Sequence, residues 1–192
     1  MNRTDRGALL AVLLCMSMLL PTWASASTYV YETLGNRTVG PGDAGADVKT
    51  LQALLRRKGY AIPKLSGRYG PKSRRAVKRF QRRHGLRADG RVGTATTKAL
   101  AGGWRAKQAT YFGPGLYGRR TACGRTLTKG VRGVAHRKLP CGTRIPFYYA
   151  GKIVIVPVVD RGPFTRGVTF DLTAGAARAL GMSATSRVRA GY

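Results

Sequence analysis

The hydrophobic period of the chain changes once, at Gly102-Gly103, and this limits the fold more than any other feature. Upstream, apolar residues recur every three or four positions, as on one face of a helix. Downstream, they fall in short runs bounded by glycine and proline, as in strands. No single architecture satisfies both patterns. The chain therefore reads as two small domains, 34–102 and 104–192, and its 192 residues leave no room for a large α/β enzyme core.

Residues 1–26 follow a different logic. Arg3 and Arg6 precede an apolar run from Ala8 to Leu20, Pro21 breaks it, and Ala24-Ser25-Ala26 offers small residues for cleavage. The run is 13 residues long, short of the roughly 20 that a spanning helix needs. It reads as a cleaved secretory signal, which predicts a secreted protein with no membrane span after cleavage. Cys15 sits mid-run after Leu14, so it fills the apolar segment rather than carrying a lipid. Cys123 and Cys141 are then the remaining thiols, and in an oxidising compartment they are expected to bond. A metal site built from them and His136 is the alternative, but no CxxC or HxxxH spacing supports it.

Charge narrows the partners. The chain has 35 Lys+Arg against 7 Asp+Glu, a net charge of +28, yet 43% hydrophobic residues separate it from a disordered polycation. Segment 34–102 has 17 cations and 3 Asp, and segment 103–192 has 16 cations and 2 Asp. A field spread this evenly attracts polyanions. Inside a cell that would suggest nucleic acid. Outside the membrane it points instead to peptidoglycan carboxylates and other anionic wall polymers, so no nucleic-acid partner is expected. A genomic bias toward arginine is the competing source of the excess. Two histidines cannot fill a three-His metal centre, and no cofactor is called for.

In the first domain, GADVKTLQALLRRKGY places Val48, Leu51, Leu54 and Leu55 at helical spacing, with Asp47 as expected cap and Gly59 as stop. GPKSRRAVKRFQRRHGL repeats the pattern with Ser73 as cap and Gly85 as stop, and TATTKALAG gives a third helix capped near Thr94. Stripes this short are unstable alone, so they predict a three-helix bundle. Phe80 and Tyr60 read as packing residues, and His84 as a solvated helix-end residue. The segment resembles the type 1 peptidoglycan-binding module in Gly45-Ala46-Asp47-Val48, Leu51-Gln52, Gly59-Tyr60, Gly67-Arg68-Tyr69-Gly70, Phe80-Gln81 and Asp89-Gly90. Ser66 departs from it, standing where the family commonly has Asp. The resemblance implies binding to peptidoglycan glycan strands.

The second domain predicts strands over 106–112, 133–136, 143–149, 152–159, 168–172 and 186–190, with a short helix AGAARAL capped by Thr173. So many short strands in about 90 residues suggest a closed barrel. The motifs ATYFGPGLYGRRTACG, GVAHRKLPCGT, VPVVDRGPF and FDLTAGAARALGM resemble the catalytic domain of the rare lipoprotein A (RlpA) family of lytic transglycosylases. That resemblance implies a six-stranded double-psi β-barrel related to expansins. The predicted class is thus α+β multidomain, a three-helix bundle followed by the barrel, in a monomeric protein.

The chemistry follows from two acids. Asp160 and Asp171 are the only carboxylates of this domain, each beside an expected strand end. Breaking a glycosidic bond requires a group that protonates the leaving oxygen. A lytic transglycosylase draws its nucleophile from the substrate: the 6-hydroxyl of N-acetylmuramic acid attacks its own anomeric carbon and leaves a 1,6-anhydro end. One carboxyl can then serve as acid and base. The resemblance assigns that role to Asp160, with His136 orienting it or sharing its proton and Asp171 supporting the same groove. Arg161 is expected to lower the pKa of Asp160, while Pro163 and Phe164 would raise it by desolvation. Tyr111, Arg125 and Arg161 are the candidate substrate ligands. Each has a structural alternative: Asp160 anchoring a turn, Asp171 entering a helix, His136 in the core, and Tyr111, Phe112 and Tyr117 filling the barrel. One position departs from the family. Arg125 follows Thr121-Ala122-Cys123-Gly124 where many members carry Glu, which favours a second reading as a non-catalytic, expansin-like wall-binding protein.

Overall fold

Helix α1 (Ala46–Arg57), α2 (Pro71–Arg83) and α3 (Thr94–Leu100) form the first domain. The computed structural model describes residues 33–192; the signal segment 1–26 and Cys15 lie outside them. The expected stripes meet in one core, with Val48, Leu51, Leu55, Val77, Phe80 and Leu100 fully buried. Gly59 (φ +80°) and Gly85 (φ +64°) adopt the left-handed conformation just past α1 and α2, as helix-ending glycines do. The expected caps are corrected. Gly45, Gly70 and Gly93 occupy the three N-cap positions, with no side-chain cap bond. Asp47 instead lies in the first turn and pairs with Arg37 (2.8 Å). Ser73 is buried, and its Oγ accepts from the Gln52 side-chain amide (3.0 Å). The Arg37 and Gln52 bonds are tertiary contacts that local spacing does not reveal, while Asp47 Oδ1 also accepts from the Val48 N–H at the start of α1 (2.8 Å). No helix among the described residues is long and apolar enough to cross a membrane.

The second domain holds β1 (Arg105–Phe112), β2 (Val134–Ala135), β3 (Arg144–Tyr149), β4 (Lys152–Asp160), β5 (Phe170–Thr173), α4 (Ala174–Leu180) and β6 (Ser186–Ala190). The strands close into a barrel in the order β1-β5-β2-β4-β3-β6. Pairs β1/β5 and β2/β4 are parallel, the others antiparallel. The β3–β4 hairpin turns through Ala150 and Gly151, both at positive φ, which matches the twist of the flanking strands. Thr173 caps α4 as expected, its hydroxyl accepting from the Ala176 amide (3.3 Å).

Strand β4 belongs to both domains. Val154, Val156 and Val158 point into the barrel beside Phe147 and Phe170. Ile153 and Ile155 point the other way, into the helical core with Leu34 and Leu100. Leu34 and Ile153 also exchange two backbone hydrogen bonds (2.9 and 2.8 Å). The run IVIVPVV is apolar on both faces because each face is buried by a different domain.

Candidate active site on the barrel

The placement of Asp160 depends on one extra residue. Val154, Val156 and Val158 face the barrel core, so strict alternation would turn Asp160 inward as well. The β2–β4 register shifts instead: Val134 lies opposite Val158, and Ala135 lies opposite Asp160. Val159 is the residue bulged out, and the bulge turns Asp160 to the outer face. Ala135 also opposes Asp171, and Asp171 opposes Thr110. Thr110, Asp171, Ala135 and Asp160 therefore form one row across four strands. Between the two acids stands a single methyl side chain. At the usual strand spacing their Cα atoms are about 10 Å apart.

The bulge has its own space requirement. A Cβ on Gly133 would come within 2.7 Å of Val159 Cγ1 and closer still to Cγ2. Glycine is thus demanded here by packing.

Asp160 is half-buried and anchored on one side. Its Oδ1 accepts from the amides of Ala122 and Arg161, both at 2.8 Å. Oδ2 has no bonding partner among the described residues. Ala122 belongs to a turn closed by Thr121 N–H donating to Arg125 O (2.8 Å). That turn docks on the bulge, with Cys123 N–H donating to Val159 O (3.3 Å). The Cys123–Cys141 disulfide, present as expected, ties the turn to the loop after His136 across a separation of 18 residues. Opening it, by reductant or by Cys141→Ser, is expected to lower folding stability by about 3 kcal/mol. Denaturant midpoints with and without reductant measure this; equal midpoints would contradict it.

Asp171 is also half-buried. Its Oδ1 accepts from the Thr110 hydroxyl (2.7 Å). Burial pushes its pKa above the usual carboxylate value; the Thr110 bond opposes the rise, and the charge of Asp160 adds to it. The helix-entry alternative for Asp171 fails, because Thr173 caps α4. Thr110→Val removes a bond that favours the ionised form, so Asp171 should titrate at higher pH than in wild type. An acid with a raised folded pKa contributes stability fully below its unfolded value, about 3.9, and loses it as pH rises through the folded value. The variant should therefore lose more stability on going from acid to neutral pH. A carboxyl-carbon NMR titration reads the pKa directly, and an unchanged or lowered value would contradict the assignment.

His136 follows β2, and its backbone N–H donates to Asp160 O (3.1 Å). Imidazole Nδ1 faces the amides of Lys138 (3.2 Å) and Leu139 (2.9 Å). Two donors at Nδ1 place the ring proton on Nε2. Burial lowers the pKa of His136 below its ordinary value, and Arg137 and Arg161 lower it further. The ring packs against Phe170 (5.3 Å) and Tyr192 (6.2 Å). No hydrogen bond joins the imidazole to the Asp160 carboxylate among the described residues. The expected proton sharing is therefore replaced by a backbone link and a neutral ring with an Nε2–H donor.

The expected ligands separate. Arg161 turns to the His136 loop: its guanidinium donates to His136 O (3.3 Å) and Leu139 O (3.0 Å) and contacts Cys141 Sγ (3.3 Å). It braces the loop. Phe164 is 83% exposed. Tyr111 alternates to the opposite face of β1 from Thr110, and its hydroxyl donates to Ser183 O (3.2 Å). Arg125 is exposed, and its side chain has no partner among the described residues. Thr110 and Ala135 went unread in the sequence, since only strand register brings them into the row.

Two family models match the chain. Residues 44–100 match the putative peptidoglycan binding domain, and residues 105–192 match the family described as lytic transglycolase. The barrel is RlpA-like, and a peptidoglycan-binding domain precedes it. The chain is 47% identical over 90 residues to a probable endolytic peptidoglycan transglycosylase RlpA of Synechocystis, covering 46% of this chain and 27% of that protein. It is 36% identical over 85 residues to the endolytic peptidoglycan transglycosylase RlpA of Campylobacter jejuni, covering 42% of this chain and 31% of that one. The chain thus spans about a third or less of the length of these RlpA relatives. The solved SleB N-terminal domain shares 33% identity over 35% of this chain and 92% of its own, with a TM-score of 0.34.

Proposed function

We propose that the protein is an exported, wall-associated lytic transglycosylase that cleaves the MurNAc–GlcNAc bond of peptidoglycan. The observation that carries this reading is the outward row of two carboxyls, with Asp160 re-aimed by the bulge. Asp160 Oδ2 delivers its proton to the leaving GlcNAc oxygen as the C1–O bond breaks. The muramyl 6-oxygen then bonds to C1, and its proton returns to Asp160. Asp171 keeps its own proton to higher pH and limits the charge of the row. The Nε2–H of His136 is a donor for a sugar oxygen. Arg125, unpaired on the turn that anchors Asp160, suits a lactyl or stem carboxylate. The helical module holds the barrel on its substrate and raises the local concentration of cleavable bonds. Residues 1–26 direct export in this reading, and the protein acts as a monomer without metal or cofactor.

Arg125 also favours the second reading, a wall-binding protein without turnover, because it stands where the family resemblance implies an acid. Digestion of purified sacculi followed by mass spectrometry separates the two. Anhydro-muramic products are expected. Their absence, with sacculus binding intact, would leave the non-catalytic reading.

A further inference from the structure

A cavity of about 920 Å³ lies on the helical module and away from the carboxyl row. Its floor is apolar, formed by Tyr60, Ile62, Pro63 and Ala76. One wall is α2, which presents Lys72, Arg75, Arg79 and Arg82. These stand at i, i+3, i+7 and i+10, so they lie along one face of the helix. From first to last they span about 15 Å. All four are exposed, and none has a carboxylate partner among the described residues. The nearby acids are engaged elsewhere: Asp43 and Asp47 pair with Arg37, and Asp89 accepts from the Gln81 amide and the Arg91 N–H.

The groove is preformed. Arg56 Nε donates to Ile62 O (2.8 Å) and fixes the floor loop. The buried Gln52 side chain bonds Arg68 O, Ser73 Oγ and Gly67 N–H, all at 3.0 Å, and fixes the loop leading into α2. A row of like charges along a helix is unfavourable by itself. A ligand carrying several anions would relieve it.

We infer that this groove binds the peptide stem of peptidoglycan. The inference rests on the proposed function and extends it by naming the part of the wall that the module holds. Three properties select the stem. It carries several carboxylates along one short chain, which match the cation row. It carries alanine methyls, which match the apolar floor; a fully polar phosphate polymer would leave that floor unused. At about 3.3 Å per extended residue, a stem of four or five residues is as long as the row.

The test uses the full exported chain and two soluble probes, a disaccharide-tetrapeptide and the same disaccharide stripped of its peptide. Calorimetry should show the first binding at least tenfold more tightly than the second. Arg75→Glu/Arg79→Glu should weaken tetrapeptide binding at least tenfold. Arg75→Lys/Arg79→Lys should stay within about threefold of wild type. Arg83→Glu/Arg87→Glu makes the same change in net charge outside the groove and should stay within twofold. Circular dichroism confirms that each variant is folded. Equal binding of the stripped disaccharide, equal loss in both charge-reversal variants, or displacement only by a glycerol-phosphate polymer would overturn the inference. Sacculus cleavage by the wild-type chain is scored separately through anhydro products. A failed groove and a failed transglycosylase reading are therefore distinguishable.

Discussion

Asp160→Asn is expected to stop the release of anhydro-muramic products from sacculi while sacculus binding stays unchanged. The two side chains are nearly isosteric. An asparagine carbonyl oxygen can accept from the amides of Ala122 and Arg161 as Oδ1 does now, at 2.8 Å each. The turn that carries Cys123 should therefore stay docked on Val159. What is lost is the second oxygen, the one without a partner among the described residues and the one that must exchange a proton. Removing a positioned acid–base group costs about 10²–10⁴-fold in rate. The helical module does not touch this row, so its hold on the wall should persist. The measurement is product formation per bound protein on purified sacculi. Full activity in the variant would remove Asp160 from the mechanism and shift attention to Asp171.

The parallel variant Asp171→Asn tests a different property. Asp171 is half-buried behind Thr110, and its raised pKa comes first from that burial. Its expected contribution is to the charge and hydrogen bonding of the row. The two acids look alike in the sequence, as single carboxylates at strand ends. Their environments separate their roles.

Much of the fold was legible because local rules decided it. The period change at Gly102-Gly103, the helix-stopping Gly59 and Gly85, and the Thr173 cap each act within a few residues. The helix starts were misread for the converse reason. Asp47 and Ser73 have the chemistry of caps but sit inside their helices, past Gly45 and Gly70 at the N-cap, and their tertiary partners are Arg37 and Gln52. The site shows the same division. Asp160, Asp171 and the two cysteines were visible as rare residues in a basic chain. Adjacency in sequence to Asp160 does not fix where the long Arg161 side chain goes; its guanidinium reaches the loop at 136–141. The row containing Thr110 and Ala135 depends on the register of three strand pairs and on one bulge. No spacing rule in a single sequence encodes these.

That bulge gives the second large effect. Gly133→Ala should impair both folding and cleavage, because the new methyl would meet both γ-carbons of Val159. Overpacking of this kind costs about 1–3 kcal/mol. Its relief would push Val159 outward, and with it the backbone that presents Asp160. A displacement near 1 Å at a reacting group can lower the rate about 10²-fold. A purely destabilising change would not lower the rate of the folded fraction, so the two effects are measured separately, by denaturant titration and by turnover at low temperature. Val159→Ala removes the two γ-methyl groups nearest the introduced methyl. Combined with Gly133→Ala, it should restore part of both losses, giving a coupling of about 0.5–3 kcal/mol in a double-mutant cycle. If Gly133→Ala instead folds and cleaves like wild type, then the space opposite Val159 does not hold the bulge. The outward aim of Asp160 would have to come from the Ala122 turn alone, whose N–H would then be the first contact to remove.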